Sequence, residues 1–395
     1  MRSRRRTALV ALSLLMLMAI PAQARQPSTL PSGAPSPGCV QAAPSASPSP
    51  APDSSPASAP YQDARVAESC LVAYLTGPDG INDTASRFGV DGTDLGHTFA
   101  HDGASYMIFG DTFGPNKSDW RSNVAAVITD DDPRDGLTFD RMIEDRPGHA
   151  KALIPQSAVP GIEVTIIPTY GVSLGERMVL HYMAVKRWGA PGRWDLNHSG
   201  LAYSDDDGQT WIVDPDATWP GDSNFGQVSI VEADRYLYLL GIPGGRFGGV
   251  QLARVAPARI LDLGAYEYWD GAAWIPEDAS AATTILPAPV GELSVRWSAH
   301  YQKWLLMYLN EDKAAIVLRT ADCLTGPWDE EVTVVTAVDF PQLYAPYLLP
   351  EWDDKPDLYF TMSLFGPYNV ALMRTALTRV TPSAAEPACV APGAG

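Results

Sequence analysis

The chain has 395 residues, with 46 Asp+Glu against 28 Lys+Arg and a formal net charge of −18. That balance excludes a nucleic-acid binder, which needs a basic face for phosphates, and electrostatic docking on an anionic membrane surface. A hydrophobic fraction of 46%, including 11 Trp, 16 Tyr and 10 Phe, suffices for a full core, whereas 35 Pro is heavy for a globular enzyme.

Residues 1–24 read as a secretory signal. Arg2, Arg4, Arg5 and Arg6 form a positive start, Ala8 to Ile20 is a short apolar stretch, and Ala22-Gln-Ala24 is a small-residue cleavage site. The competing reading is an uncleaved membrane anchor. No second stretch is long and apolar enough to span a bilayer, so no span is expected after cleavage. Losing the four arginines takes the mature chain to about −22, and a secreted or cell-envelope location follows.

Residues 25–63 are rich in Pro, Ser and Ala and hold ten of the prolines. Such a segment cannot bury enough apolar surface to offset its ordering entropy, so a disordered spacer is predicted. Residues 381–395 have the same character and read as a flexible tail. The folded unit is therefore 64–380. Four cysteines (Cys39, Cys70, Cys323, Cys389) in an exported chain are compatible with two disulfides in three alternative pairings. A bridge from Cys70 to Cys389 would join the ends of the folded unit.

Within 64–380 short alternating runs dominate and helix signals are nearly absent. Strands are predicted at Tyr106–Phe109, Met178–Tyr182, Tyr236–Leu240, Trp304–Tyr308 and Asp357–Thr361, each after a charged or Gly-containing turn. Five such hairpins in about 317 residues predict an all-β fold, a five-bladed β-propeller with about 63 residues per blade. A two-sheet sandwich with a second domain is the alternative. Ser204-Asp-Asp-Asp-Gly-Gln-Thr-Trp211 matches a hairpin found in many propeller glycosidases, with Asp and Gly forming the turn and Trp packing between strands.

In a propeller the innermost strands open onto a central channel. Polar residues just before each repeat hairpin are therefore the ones to weigh. Asp111, between Gly110 and Thr112 at the end of an apolar run, has no packing reason to be acidic. Asp94 lies just ahead of the same repeat's first strand, and the Asp102-Gly103 turn folds the two segments together. A carboxyl pair is what glycoside hydrolysis requires: a protonated acid for the leaving oxygen and a carboxylate as base or nucleophile. The bland reading is that each acid caps a turn.

Glu292, Ser294 and Arg296 alternate and so share one face of a strand, where Arg296 could hold Glu292 ionised or form a structural ion pair with it. Glu163 is a further candidate of the same type. Gln227, Tyr344, Tyr368 and Asn369 lie at the corresponding positions of other repeats. Arg246, within Gly244-Gly-Arg-Phe-Gly-Gly249, would face the channel. That glycine loop lies between strands and not before a helix, so it is not a phosphate loop. His97 and His101 stand too far apart along a strand to ligate one ion and read as structural. Trp188, Trp194, Trp219, Tyr344, Tyr347 and Tyr368 sit in loops or at strand ends, where a minority could stack on sugars. No cofactor or metal is expected, and a calcium or other ion in the channel has no support in the sequence.

Thr93-Asp-Leu-Gly96, Phe109-Gly-Asp-Thr-Phe113, Gly245-Arg-Phe-Gly-Gly249, Ser294-Val-Arg-Trp297, Trp304-Leu-Leu-Met-Tyr308, Pro341-Gln-Leu-Tyr344 and Thr361-Met-Ser-Leu-Phe-Gly-Pro-Tyr-Asn369 together resemble glycoside hydrolase family 183. This actinobacterial family was formerly carried as a domain of unknown function. The resemblance covers about residues 70–378. It implies a monomeric, exported endo-D-arabinanase acting on internal α-D-arabinofuranosyl bonds of arabinogalactan and lipoarabinomannan, with the catalytic aspartates falling on Asp94 and Asp111. An exo-acting furanosidase of the same fold and an inactive wall-binding propeller are the competing readings.

Overall fold

A computed structural model describes residues 39–41, 64–350 and 355–378. The signal segment, most of the spacer and the tail lie outside the described residues. The fold is a five-bladed β-propeller. Blade I comprises Gly92–His101, Ala104–Phe113, Val124–Ile128 and Arg141–Met142, and blade II Thr165–Leu174, Arg177–Trp188, Trp194–Ser204 and Ile212–Pro220. Blade III starts Gln227–Ala233, Tyr236–Ile242, Gly248–Val255, and blade IV is Leu293–Ser298, Lys303–Asn310, Ala315–Ala321, Val332–Thr336.

Blade V closes the ring with strands from both ends of the folded unit. Leu343–Leu348, Asp357–Leu364 and Asn369–Leu377 are completed by Val66–Tyr74, with Tyr74 opposite Ala371 and Cys70 opposite Arg374. One correction to the sequence reading arises here. Three spacer residues, Cys39–Gln41, add an edge strand with Cys39 opposite Cys70, so the spacer is not structureless throughout. Cys70 and Cys323 are both disulfide-bonded, and the bridge expected to Cys389 falls on a residue outside the described set.

The five apolar runs seen in the sequence all lie in the second strands of their blades. Those strands are apolar on both faces because successive side chains point to opposite sides and each side meets another blade. In blade I, Met107 and Phe109 pack with Leu372 and Tyr359 of blade V, while Tyr106 and Ile108 pack with Met178 and Leu180 of blade II. The Ser204–Trp211 segment is the expected hairpin. Asp206 accepts the Thr210 N–H at 2.7 Å, and Trp211 donates its indole N–H to the Gly208 carbonyl at 3.0 Å.

The innermost strands touch one another in the cyclic order I, II, III, IV, V. Their inner edges have no strand partner, so their N–H groups need other acceptors. Hydroxyls of the preceding blade supply them. Val228 N–H donates to Thr169 Oγ1 at 3.3 Å, Val295 N–H to Ser229 Oγ at 3.0 Å, Leu348 N–H to Ser294 Oγ at 2.9 Å, and Leu95 N–H to Ser363 Oγ at 2.8 Å. These four bonds span seams II–III, III–IV, IV–V and V–I. All are buried, so removing one hydroxyl strands an amide at a cost of about 1–3 kcal/mol. Ser294→Ala and Ser229→Ala are each expected to lower unfolding free energy by about that amount. Urea titration checks this, and a change inside experimental error would remove the stapling role.

Candidate active site

Every innermost strand enters the ring at the same mouth. There the start of each inner strand meets the end of its blade's second strand and the loop that follows. Those loops are 114–123, 189–193, 243–247, 311–314 and 365–368.

Blade I is irregular at this mouth. Pairing shifts register between Thr93 and Leu95 and again before His97, and Leu95 and Gly96 both have positive φ, 69° and 96°. A bulge of this kind re-aims side chains. It brings Asp94 against the end of the neighbouring strand, where Gly110 and Asp111 lie. A β-carbon on Gly110 would stand 2.5 Å from Asp94 Oδ1, so any other residue there pushes that carboxyl aside. Positive φ also recurs at Gln342 and Ala345 on either side of Tyr344, and at Tyr368 itself. Backbone strain thus gathers on the three segments that surround Asp94, as it does at many functional sites.

Asp94 and Asp111 are both buried. Tyr344 donates to Asp94 Oδ2 at 2.9 Å, and the Tyr368 hydroxyl bears on the same carboxyl. Asp94 Oδ1 is buried without a hydrogen-bond partner. Asp111 Oδ1 accepts two bonds, from the Trp120 indole at 2.8 Å and from Thr165 Oγ1 at 2.6 Å. Burial first, then the charge of Asp111, pushes the Asp94 carboxyl up to about 8, with Glu292 adding to the effect. Burial raises Asp111 only to about 6, because Thr165 and Trp120 donate to its ionised form. At neutral pH, therefore, Asp94 holds a proton and Asp111 is mainly a carboxylate.

Glu292 lies just ahead of the blade IV inner strand. Its Oε1 accepts from Arg246 Nε at 3.0 Å and Nη2 at 2.9 Å, and its Oε2 is buried without a hydrogen-bond partner. The sequence reading paired Glu292 with Arg296; the structure pairs it with Arg246, from the adjoining blade. Arg246 also reaches Glu311 at 3.1 Å and lies over the Tyr344 ring at 4.8 Å. Gln227 fixes this arrangement by donating to the Pro243 and Gly245 carbonyls, which sets the loop that carries Arg246.

The structure thus gathers Asp94, Asp111, Glu292, Arg246, Tyr344 and Tyr368. Arg296 is buried further along its strand, and Gln227 acts through the loop. Asn369 packs against Gly77. Glu163 lies just ahead of the blade II inner strand, where its carboxylate accepts the Ser157 N–H at 2.6 Å. Of the six rings of which a minority was expected to stack on sugars, Trp219 and Tyr347 are core residues at 2% and 3% exposure. Sequence reasoning missed Trp120, Glu311 and the steric role of Gly110. Trp120 follows the Phe-Gly-Asp-Thr-Phe string in a loop, and that proximity was its one signal.

The family model for a domain of unknown function, DUF4185, matches residues 79–374, and the chain belongs to that family. Curated relatives include notoamide biosynthesis cluster protein J of Aspergillus sp. (strain MF297-2), 28% identical over 327 residues, covering 76% of this chain and 85% of the relative. Protein J′ of Aspergillus versicolor is 29% identical over 318 residues, covering 73% and 84%. Among solved structures, a putative hydrolase from Bacteroides ovatus superposes with a TM-score of 0.55 at 13% identity, covering 82% of this chain and 97% of that one. This last likeness shows the fold. Among the described residues no helix is long and apolar enough to cross a membrane.

The raised pKa of Asp94 has a stability consequence. A carboxyl near 8 in the folded chain and near 3.8 unfolded binds more protons when folded. Stability therefore falls as pH rises across that window. Asp94→Asn is expected to raise the melting temperature at pH 8 relative to the parent, with the gain shrinking towards pH 4. A constant difference across pH, measured by thermal scans, would contradict the assignment. Gly110→Ala is expected to keep the fold while displacing Asp94, so its circular dichroism should match the parent even where its activity does not.

Proposed function

We propose that this member of the DUF4185 family is a secreted glycoside hydrolase that cleaves internal α-D-arabinofuranosyl linkages of mycobacterial-type D-arabinan. The observation that carries the reading is the split acidity of two buried, adjoining carboxyls at the propeller mouth, one protonated and one ionised at the same pH. Glycoside hydrolysis needs that division of labour. The substrate and the endo mode rest on the family resemblance of the sequence motifs.

In the proposed reaction Asp94 gives its proton to the glycosidic oxygen as the bond to the anomeric carbon breaks. Its Oδ1, buried without a hydrogen-bond partner in the protein, is the oxygen not already engaged. Asp111 is the second carboxylate. It either takes a proton from the water that attacks the anomeric carbon or attacks that carbon itself before water does. The net change is one water added across one C–O bond. Glu292, anchored by Arg246 through one oxygen, offers the other to a sugar hydroxyl. Tyr344 ties the two groups together, since its hydroxyl meets Asp94 and its ring lies beneath Arg246.

Activity requires Asp94 protonated and Asp111 ionised. The kcat/KM profile on purified arabinogalactan is therefore expected to be bell-shaped, with limbs near 6 and 8. Asp94→Asn and Asp111→Asn are each expected to cost about 10²–10⁴ in rate. Oligosaccharide products support internal cleavage, whereas monosaccharide alone would move the reading to an exo-acting enzyme. Near-parental release by both variants would remove the catalytic assignment.

A further inference from the structure

The five loops at the mouth are unequal in aromatic character. Two seams carry clusters of rings that reach out to solvent, although Trp194 in one of them also packs against the main core. At seam V–I, Phe113 stacks on Trp120 at 6.4 Å and meets Tyr368 edge-on at 5.5 Å; Phe365 meets Tyr368 at 6.1 Å. At seam II–III, Trp188 meets Trp194 at 5.6 Å, and Arg246 lies 5.7 Å over Trp194. Each cluster is buried at one end and open at the other: Phe365 is 59% exposed and Trp188 46%. A large ring left in water at such a place marks a contact surface better than a packing need.

Both clusters connect to the acid pair. Tyr368 bears on Asp94 and Trp120 donates to Asp111, while Trp194 reaches Asp94 through Arg246 and Tyr344. Going round the ring, seams V–I and II–III are separated by two blades on one side and three on the other. In a five-membered ring no two seams are further apart. The acids therefore sit between two open aromatic surfaces, and a ligand touching both rings must run across the mouth.

From this placement we infer that Phe365 and Trp188 are platforms for an extended neutral glycan, one on each side of the bond to be cut. The inference rests on the proposed hydrolase reading and deepens it by naming the residues that hold the chain. A neutral chain fits because sugar C–H faces stack on aromatic rings, and because the carboxylates of Asp111, Glu292 and Glu311 at this mouth repel a polyanion.

The test uses the full-length chain and purified mycobacterial arabinogalactan. Phe365→Ala and Trp188→Ala are each expected to weaken polysaccharide binding about three- to tenfold, and the double variant more. Binding is measured by affinity electrophoresis in the Asp111→Asn background, where turnover does not interfere. In the otherwise unaltered enzyme each change should raise KM on the polymer with kcat nearly constant. kcat/KM on a short aryl α-D-arabinofuranoside, which reaches neither ring, should stay level. Unchanged affinity and KM in both variants overturns the platforms while leaving hydrolysis by Asp94 and Asp111 standing. Ring-dependent binding without any new reducing ends keeps the platforms and overturns the hydrolase reading. No affinity of the parent for arabinogalactan overturns both. A ring-dependent dimer with unaltered glycan affinity assigns the surface to a second copy and overturns the inference.

Discussion

An innermost propeller strand has a neighbour on one side only, and its free edge faces the next blade inside the molecule, where water cannot serve. The bond from that edge to a hydroxyl of the preceding blade is the constraint on which the ring depends. Thr169, Ser229, Ser294 and Ser363 do this at four seams. At the fifth, between blades I and II, the corresponding bridge is of another kind: Thr165 donates its hydroxyl to the Asp111 carboxylate. Asn123 adds to it by donating to the Ile166 carbonyl of blade II. A seam that elsewhere is closed by hydroxyl and amide is here closed through an acid.

This explains why a carboxylate is tolerated in so buried a place. Two donors on Asp111 compensate part of its desolvation, and each comes from an element fixed by the ring itself: Thr165 from the next inner strand, Trp120 from the loop after the second strand. Asp94 lacks an equivalent pair on its Oδ1, and it stands near two other acids. Two aspartates with the same burial therefore hold their protons differently, and the difference comes chiefly from the charges of Asp111 and Glu292 bearing on Asp94.

The second strands were legible in the sequence because blade-on-blade packing makes them apolar on both faces, which leaves runs such as Tyr106–Phe109 and Trp304–Tyr308. The inner strands were harder to see. Their hydroxyl and histidine side chains serve the seams and channel, and no periodicity announces that. Asp94 and Asp111 stood out because an acid at the end of an apolar run lacks a packing reason. The partner of Glu292 did not. Alternation along one strand pointed to Arg296, but the ion pair comes from Arg246, on the preceding blade. Contacts across seams join residues whose spacing in the chain carries no signal. The same limit hid the burial of Trp219 and Tyr347, which sit at strand ends yet face neighbouring blades.

Ring closure and chemistry are coupled through Asp111. A hydroxyl lost at seams II–III, III–IV or IV–V strands an amide and weakens the fold, but it leaves both acids with their partners. A hydroxyl lost at Thr165 removes a seam bond and one of the two donors that hold Asp111 ionised, so the carboxylate becomes more basic. The two effects cannot be separated by position, because a single 2.6 Å bond serves both. Thr165 is accordingly the seam residue whose replacement would move the acid limb of the proposed pH profile upward. The hydroxyls of Thr169, Ser229 and Ser294 would change stability and leave the profile where it is.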